Sequence, residues 1–239
     1  MDELENTKNH CNEAHPATRW GKHQAGVGGR RADTPRAAAQ CGPMLQISDL
    51  HFGHTPEAPV FAGWSARVPA GLSVLCGDES SGKTTLLRLL AGELRGRGSL
   101  TLNGAPLTPG QVFWQDPRAA PDDTVASAYL RAQAQRWPAW DEAAAQRHID
   151  GLSLREHIDK PFFALSTGGR RKVWLTAALA SGAALTLIDE PMAGLDTPSI
   201  RHLLAAMQEA VQQDPTRWLL VAHWEPLPGV ADDHLLRLR

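Results

Sequence analysis

Gly77-Asp78-Glu79-Ser80-Ser81-Gly82-Lys83-Thr84 reads G-x-x-x-x-G-K-T, and its flanks decide the fold. Leu72-Ser73-Val74-Leu75-Cys76 ahead of it is a short apolar run of strand length. Thr85-Leu86-Leu87-Arg88-Leu89-Leu90-Ala91 behind it carries the broad apolar face of a helix. Between a strand and a helix, such a loop lets backbone N–H groups turn inward around phosphates, and the helix N-terminus adds its partial positive charge. Lys83 is then placed to reach the terminal phosphates and the Thr84 hydroxyl to hold Mg²⁺.

Outward from this loop, strand and helix patterns alternate. Upstream, Leu45-Gln46-Ile47 and Leu50-His51-Phe52 suggest an edge strand, and Trp64-Ser65-Ala66-Arg67-Val68 another before the Pro69-Ala70-Gly71 turn. Downstream, Ser99-Leu100-Thr101-Leu102 alternates and ends at the turn signal Asn103-Gly104, and Gln111-Val112-Phe113-Trp114 is a further short strand. Residues 118–164 change character. Val125, Tyr129 and Ala132, then Ala144, His148 and Ile149, recur at helical spacing and predict a small helical insertion. Val173–Ala180 is apolar on nearly every face, which predicts a buried helix. Leu185-Thr186-Leu187-Ile188 and Trp218-Leu219-Leu220-Val221-Ala222 read as central strands. Ile200, Leu203, Leu204, Met207 and Val211 trace one face of a helix with Pro198 in its first turn. Polar residues gather at the C-terminal ends of these strands, where open α/β sheets bind ligands.

Residues 1–43 differ: polar, with Gly26, Gly28, Gly29 and Arg30-Arg31, and without apolar period, they predict a disordered tail, with Met44 a plausible alternative start. The 239-residue chain has a net charge of −2, with 42% apolar and 21% charged residues, which argues against non-specific nucleic-acid binding. No apolar run reaches membrane-spanning length, and Asp2, Glu3 and Glu5 argue against a transit peptide. Cys11, Cys41 and Cys76 lack metal-ligand spacing and fit a reducing compartment, with Cys76 a small buried residue at a strand end.

Four further pieces stand at loop positions. Asp189-Glu190 ends an apolar strand, where an Asp can support Mg²⁺ and a Glu can polarise a water; simple loop charges are the alternative. Leu165-Ser166-Thr167-Gly168-Gly169 precedes the basic run Arg170-Arg171-Lys172. Basic residues oppose the macrodipole of a helix start, which favours an anion site over an ordinary cap at Ser166 or Thr167. Gln115 and His223 each follow a strand; singly, either is an ordinary loop residue.

In order and spacing these pieces resemble the ATP-binding cassette (ABC) ATPase family over residues 44–239. Leu165–Gly169 looks like the signature, usually LSGGQ, and Asp189-Glu190-Pro191 with Ala193-Gly194-Leu195-Asp196 looks like the Walker B strand and D-loop. The resemblance implies a P-loop NTPase of RecA-like α/β core, an antiparallel β subdomain and a small helical subdomain at about 118–164. It implies head-to-tail pairs, homodimeric or with a paralogue, that hold ATP between the phosphate loop of one subunit and the signature of the other. Gly77, Asp78, Glu79, Ser80, Ser81, Gly82, Lys83, Thr84 and Thr85 would then bind ATP. Thr84, Gln115 and Asp189 would hold Mg²⁺, and Glu190 would be the catalytic base, aided by Lys83, Gln115 and His223. Ser166, Thr167, Gly168 and Gly169 would face the partner's ATP, and Asp196 would lie across the dimer interface.

Two departures accompany the resemblance. Thr167 stands where the first signature glycine is usual, and Gly169 where Gln is usual, which predicts slower turnover. The adenine-stacking aromatic falls at His54, with Phe52 the alternative, which leaves base discrimination open, GTP included. The chain resembles free-standing transporter ATPases that dock on a separate integral-membrane subunit through the helical lobe, with Trp137, Trp140, Phe162 and Phe163 as candidate anchors. Asp159-Lys160-Pro161 resembles small exporter ATPases, including those linked to haem or drug export. No C-terminal regulatory domain is expected after Arg239. The expected location is cytoplasmic, peripheral on the membrane through the partner, with no nucleic-acid partner. A soluble ATPase that remodels nucleic acid or ribosomes, and a regulatory module with low turnover, are the competing readings.

Overall fold

The computed structural model describes residues 42–55, 57–116 and 123–238. The expected tail, except Gly42 and Pro43, and the first residues of the expected helical insertion lie outside the described residues.

Strands β1 (Met44–Thr55) and β2 (Ala58–Pro69) form a long antiparallel hairpin. β3 (Gly71–Cys76) leads into the phosphate loop and helix α1 (Lys83–Leu90). β4 (Arg97–Leu102) pairs with β1 and, across the Asn103-Gly104 turn, with β5 (Ala105–Pro106). Both turn residues have positive φ, 53° and 80°, the geometry for which Asn-Gly is suited. After β6 (Val112–Phe113) come α2 (Ala126–Arg136) and α3 (Glu142–Gly151) of the helical lobe. Then follow α4 (Thr167–Ala180), β7 (Leu185–Asp189), α5 (Thr197–Gln213), β8 (Trp218–His223) and β9 (Leu235–Arg237).

The strands make two sheets: an antiparallel one of order β2-β1-β4-β5 and a parallel one of order β6-β7-β8-β3-β9. The parallel sheet is covered on both faces, so its strands are mostly apolar, and the buried hydroxyls of Ser73 and Thr186 are hydrogen-bonded to His234 and Arg217. Alternation still sorts the faces. Leu72 and Val74 of β3 join Leu219 and Val221 of β8 in one core with α4 and α5, while Leu75, Leu185, Leu187 and Leu220 point into a second core with α1 and the antiparallel sheet. Trp218 Nε1 donates to Val68 O at 3.0 Å and ties the two sheets together. Arg217, 6% exposed, donates to the carbonyls of Ala178 and Leu179 at the C-terminal end of α4, where the helix dipole offsets part of its buried charge.

The lobe corrects the sequence reading in two places. In α2 the buried face is Ala126, Tyr129 and Leu130, and Ala132 is exposed. Trp137 and Phe162 are core residues, 6% and 0% exposed, because Phe113, Tyr129 and Trp174 pack around them; Trp140 is partly buried and Phe163 is 61% exposed. Among the described residues no helix is long and apolar enough to cross a membrane.

Candidate functional site

The phosphate loop owes its shape to two positive-φ residues, Ser80 at 65° and Gly82 at 95°. Gly82 is the left-handed N-cap of α1, and a Cβ there would lie 2.6 Å from Val60 Cγ1, so glycine is required both by backbone and by space. Lys83 is buried, and its ammonium donates to Gly77 O and Asp78 O at 2.7 and 2.9 Å. An ammonium carries three donors, so one remains for a phosphate oxygen. Thr84 Oγ1 donates to Asp189 Oδ2 at 2.7 Å, which joins the start of α1 to the end of β7.

These residues open on a cleft of about 790 Å³, whose walls include Glu79, Ser80, Gly82, Lys83, Thr84, Thr85, Asp189 and Glu190. His54 and Val60 of the antiparallel sheet, Arg88 of α1 and Trp224 complete it. His54 is exposed, its Nε2 lies 3.4 Å from Thr85 Oγ1, and its ring meets Phe52 edge-on at 5.1 Å. Phe52 is half-buried against the second core, so His54 is the aromatic on the cleft wall. Glu79, Asp189 and Glu190 against Lys83 and Arg88 leave the walls with more negative than positive charge. The Thr84 hydroxyl and the Asp189 carboxylate on this wall are hard oxygen donors of the kind that suit Mg²⁺ beside a polyphosphate.

Not every expected residue reaches this cleft wall. Gln115 sits in a small apolar cavity with Phe113, Trp174 and Asp189, and Tyr129 of the helical lobe donates its hydroxyl to Gln115 Oε1 at 3.2 Å. His223 is 4% exposed, and its Nδ1 accepts the Glu225 N–H at 3.3 Å, which puts a ring proton on Nε2. The residue after it, Trp224, stands on the wall instead and is 65% exposed. A lone Trp after an apolar strand carries no signal that sequence reading could have used.

The signature lies on the first turn of α4. Ser166 is the N-cap and accepts from Gly169 N at 3.0 Å; Ser166 and Thr167 are exposed. A Cβ on Gly168 would fall 2.3 Å from Gly194 O, so the signature and D-loop backbones touch and glycine is obligatory. Thr167 lines a cavity of about 280 Å³ that also reaches Thr84, Asp189 and Glu190 of the same subunit. The basic run is used internally: Arg170 donates to Leu165 O, Arg171 to the carbonyls of Asp189 and Glu190, and Lys172 to Asp196 Oδ2 at 2.7 Å. The sequence argument that these charges favour an external anion is therefore corrected. Asp196 also caps α5 through Ser199 N, and these donors hold its carboxyl far below the usual range. A role across an interface would have to compete with both contacts.

The family model described as "ABC transporter" matches residues 65–193. The cytochrome c biogenesis ATP-binding export protein CcmA 2 of Salmonella paratyphi A is 32% identical over 205 residues, 79% of this chain and 93% of that protein. The aliphatic sulfonates import ATP-binding protein SsuB 2 of Agrobacterium fabrum is 37% identical over 189 residues, 76% of this chain and 71% of that one. A solved Pyrococcus furiosus protein described as an ABC transporter ATP-binding protein superposes with a TM-score of 0.68 at 22% identity, covering 82% of this chain and 97% of its own. A bacterial Atm1-family ABC exporter with ATP bound gives 0.67 at 21% identity, covering 87% and 39%. At these identities the structures speak for the fold alone.

Proposed function

The chain belongs to the ABC transporter family as an ATP-binding subunit with ATPase activity, and on that premise we propose which of its residues bind and split ATP and what they serve. The observation that carries the reading is the single cleft in which Lys83, Thr84, Asp189 and Glu190 converge.

The N–H groups of Gly77–Thr84 and the start of α1 take the phosphates, and Lys83 adds its remaining donor. Thr84 and Asp189 would hold Mg²⁺, and the Gln115 amide oxygen, which now accepts from Tyr129, would be a further donor to it. Bound there, Mg²⁺ neutralises phosphate charge. Glu190 orients the attacking water and accepts its proton, and His223 donates from Nε2 to the terminal phosphate when the Trp224 turn opens toward the cleft. Ser166, Thr167, Gly168 and Gly169 are outside the subunit's own phosphate loop. They serve the ATP of a second cassette, in a homodimer or with a paralogue.

Turnover drives an integral-membrane subunit, against which the exposed Phe163 of the helical lobe docks. Relatives named for export and for import both match this chain, at 32% and 37% identity, so the proposal extends to ATP-driven transport and leaves its direction to the membrane partner. The protein works at the cytoplasmic face of the membrane through that partner.

The test is ATP hydrolysis by the full chain against Glu190→Gln. A fall of about 10²–10⁴ in rate, with ATP still bound, supports the assignment; equal rates overturn it. Glu190→Gln loaded with ATP and captured from gently solubilised membranes should bring down a multi-spanning protein. Ribosomes or nucleic acid instead would favour the remodelling reading.

A further inference from the structure

Glu190 occupies a backbone conformation that a glutamate rarely adopts, with φ at +44°. Non-glycine residues stay in this region only where surrounding contacts over-determine it. Here the contacts are explicit. The Glu190 N–H donates to Ala222 O at 2.9 Å, which holds it to β8. Its carbonyl accepts from Ala193 N at 3.2 Å and from Arg171 Nη1, and the same Nη1 donates to Asp189 O at 3.0 Å. One guanidinium nitrogen thus clamps the two consecutive carbonyls on either side of the Glu190 Cα.

We propose that Arg171 is a positioning residue for the reaction, fixing the Glu190 backbone so that its carboxylate faces the attacking water. The inference rests on the assignment of Glu190 as base. Arg171 is not on the wall of the phosphate-loop cleft but lines the adjoining cavity of about 280 Å³ with Thr84, Asp189 and Glu190; its Nη1 contacts there go to the Asp189 and Glu190 carbonyls, so the role assigned to it runs through Glu190. It is half-buried and desolvation lowers its pKa, offset in part by Asp189 and Glu190, so its burial has a cost that the carbonyl contacts must compensate. Its place in the chain gives the clamp a second consequence. Arg171 is in the same helical turn as Gly168, which touches the D-loop at Gly194, and beside Lys172, which holds Asp196. The signature, the D-loop contacts and the Glu190 clamp are therefore all held on the first turn of α4.

Arg171→Met keeps much of the stem volume and removes the donors; Arg171→Lys keeps a charged donor. Both are compared with wild type in ATP affinity, kcat, KM and thermal midpoint, and each is combined with Glu190→Gln. The expected result is a kcat about 10- to 100-fold lower in Arg171→Met, with ATP affinity within about threefold, partial recovery in Arg171→Lys, and no further loss when Arg171→Met is added to Glu190→Gln. A kcat within twofold of wild type overturns the proposal. So does a loss of equal size in both backgrounds, or one that follows the melting temperature in Arg171→Lys as well. An unchanged rate in Glu190→Gln alone overturns the base assignment, and this inference with it. A base-dependent rate with an additive Arg171 effect overturns this inference alone.

Discussion

Thr84 Oγ1 and Asp189 Oδ2 lie 2.7 Å apart although 105 residues separate them in the chain. The contact brings the loop that holds phosphate and the strand end that supports a cation to one point. Thr84→Val and Asp189→Asn should each reduce the gain in ATP affinity that Mg²⁺ confers by about tenfold, roughly 1.4 kcal/mol. Affinity in EDTA should change little. Titration of a fluorescent ATP analogue with and without Mg²⁺ reads this directly, and a retained Mg²⁺ effect would remove both residues from the metal site.

Gly168 and Gly194 touch through backbone atoms, so no side-chain rotation can make room for a methyl group. Gly168→Ala should cost about 1–3 kcal/mol through overpacking, a fall of roughly 2–12 °C in melting temperature for a domain of this size. Gly169→Ala is the control. Its Cβ would meet Ser166 Oγ at 3.3 Å, a side-chain contact that a shift of a few tenths of an ångström relieves with the cap to Gly169 N kept. Equal melting temperatures for the two variants would contradict the close approach.

His54 is the ring that the antiparallel sheet presents to the nucleotide cleft. A larger aromatic surface stacks a base better, by about 0.5–1.5 kcal/mol. His54→Tyr should therefore tighten ATP binding by about two- to tenfold, and His54→Ala should weaken it. Competition with GTP in the same titration tests base selectivity. An affinity indifferent to position 54 would point to Trp224 as the stacking ring.

His148 on α3 is buried against His202 on α5, Nδ1 to Nε2 at 3.2 Å. Desolvation first, then the neighbouring His202 and Arg147, push its pKa down from 6.5 to about 4, with Asp141 opposing. The folded state thus binds fewer protons than the unfolded one between these values. Stability from neutral His148 is complete above about pH 6.5 and is lost as pH falls toward 4, on the order of 2–3 kcal/mol. Denaturant melts across this window should show the slope in wild type and a flatter one in His148→Gln. Parallel slopes would assign the acid sensitivity elsewhere.

Much of the site was legible because its signals are local. The phosphate loop lies between strand and helix within one stretch, and the alternation of β3, β7 and β8 carries the parallel sheet. What was not legible depends on contacts between distant segments. Trp137 and Phe162 read as anchors until Phe113 and Trp174 packed against them. The charges of Arg170, Arg171 and Lys172 read as support for an anion at the Ser166–Gly169 helix start until their acceptors proved to include Leu165, Asp189, Glu190 and Asp196. Trp224 carried no pattern at all.

From the sequence alone came most of the elements and their order, the phosphate loop and the family likeness, since hydrophobic period and glycine spacing are properties of short stretches; β5 and β9 are too short to carry such a pattern. The tertiary structure alone decided which polar groups meet: Thr84 with Asp189, Tyr129 with Gln115, and Arg171 with the carbonyls around Glu190. Hydrogen bonds of about 3 Å depend on where the sheet and helices place each backbone, and no count along the chain encodes that distance.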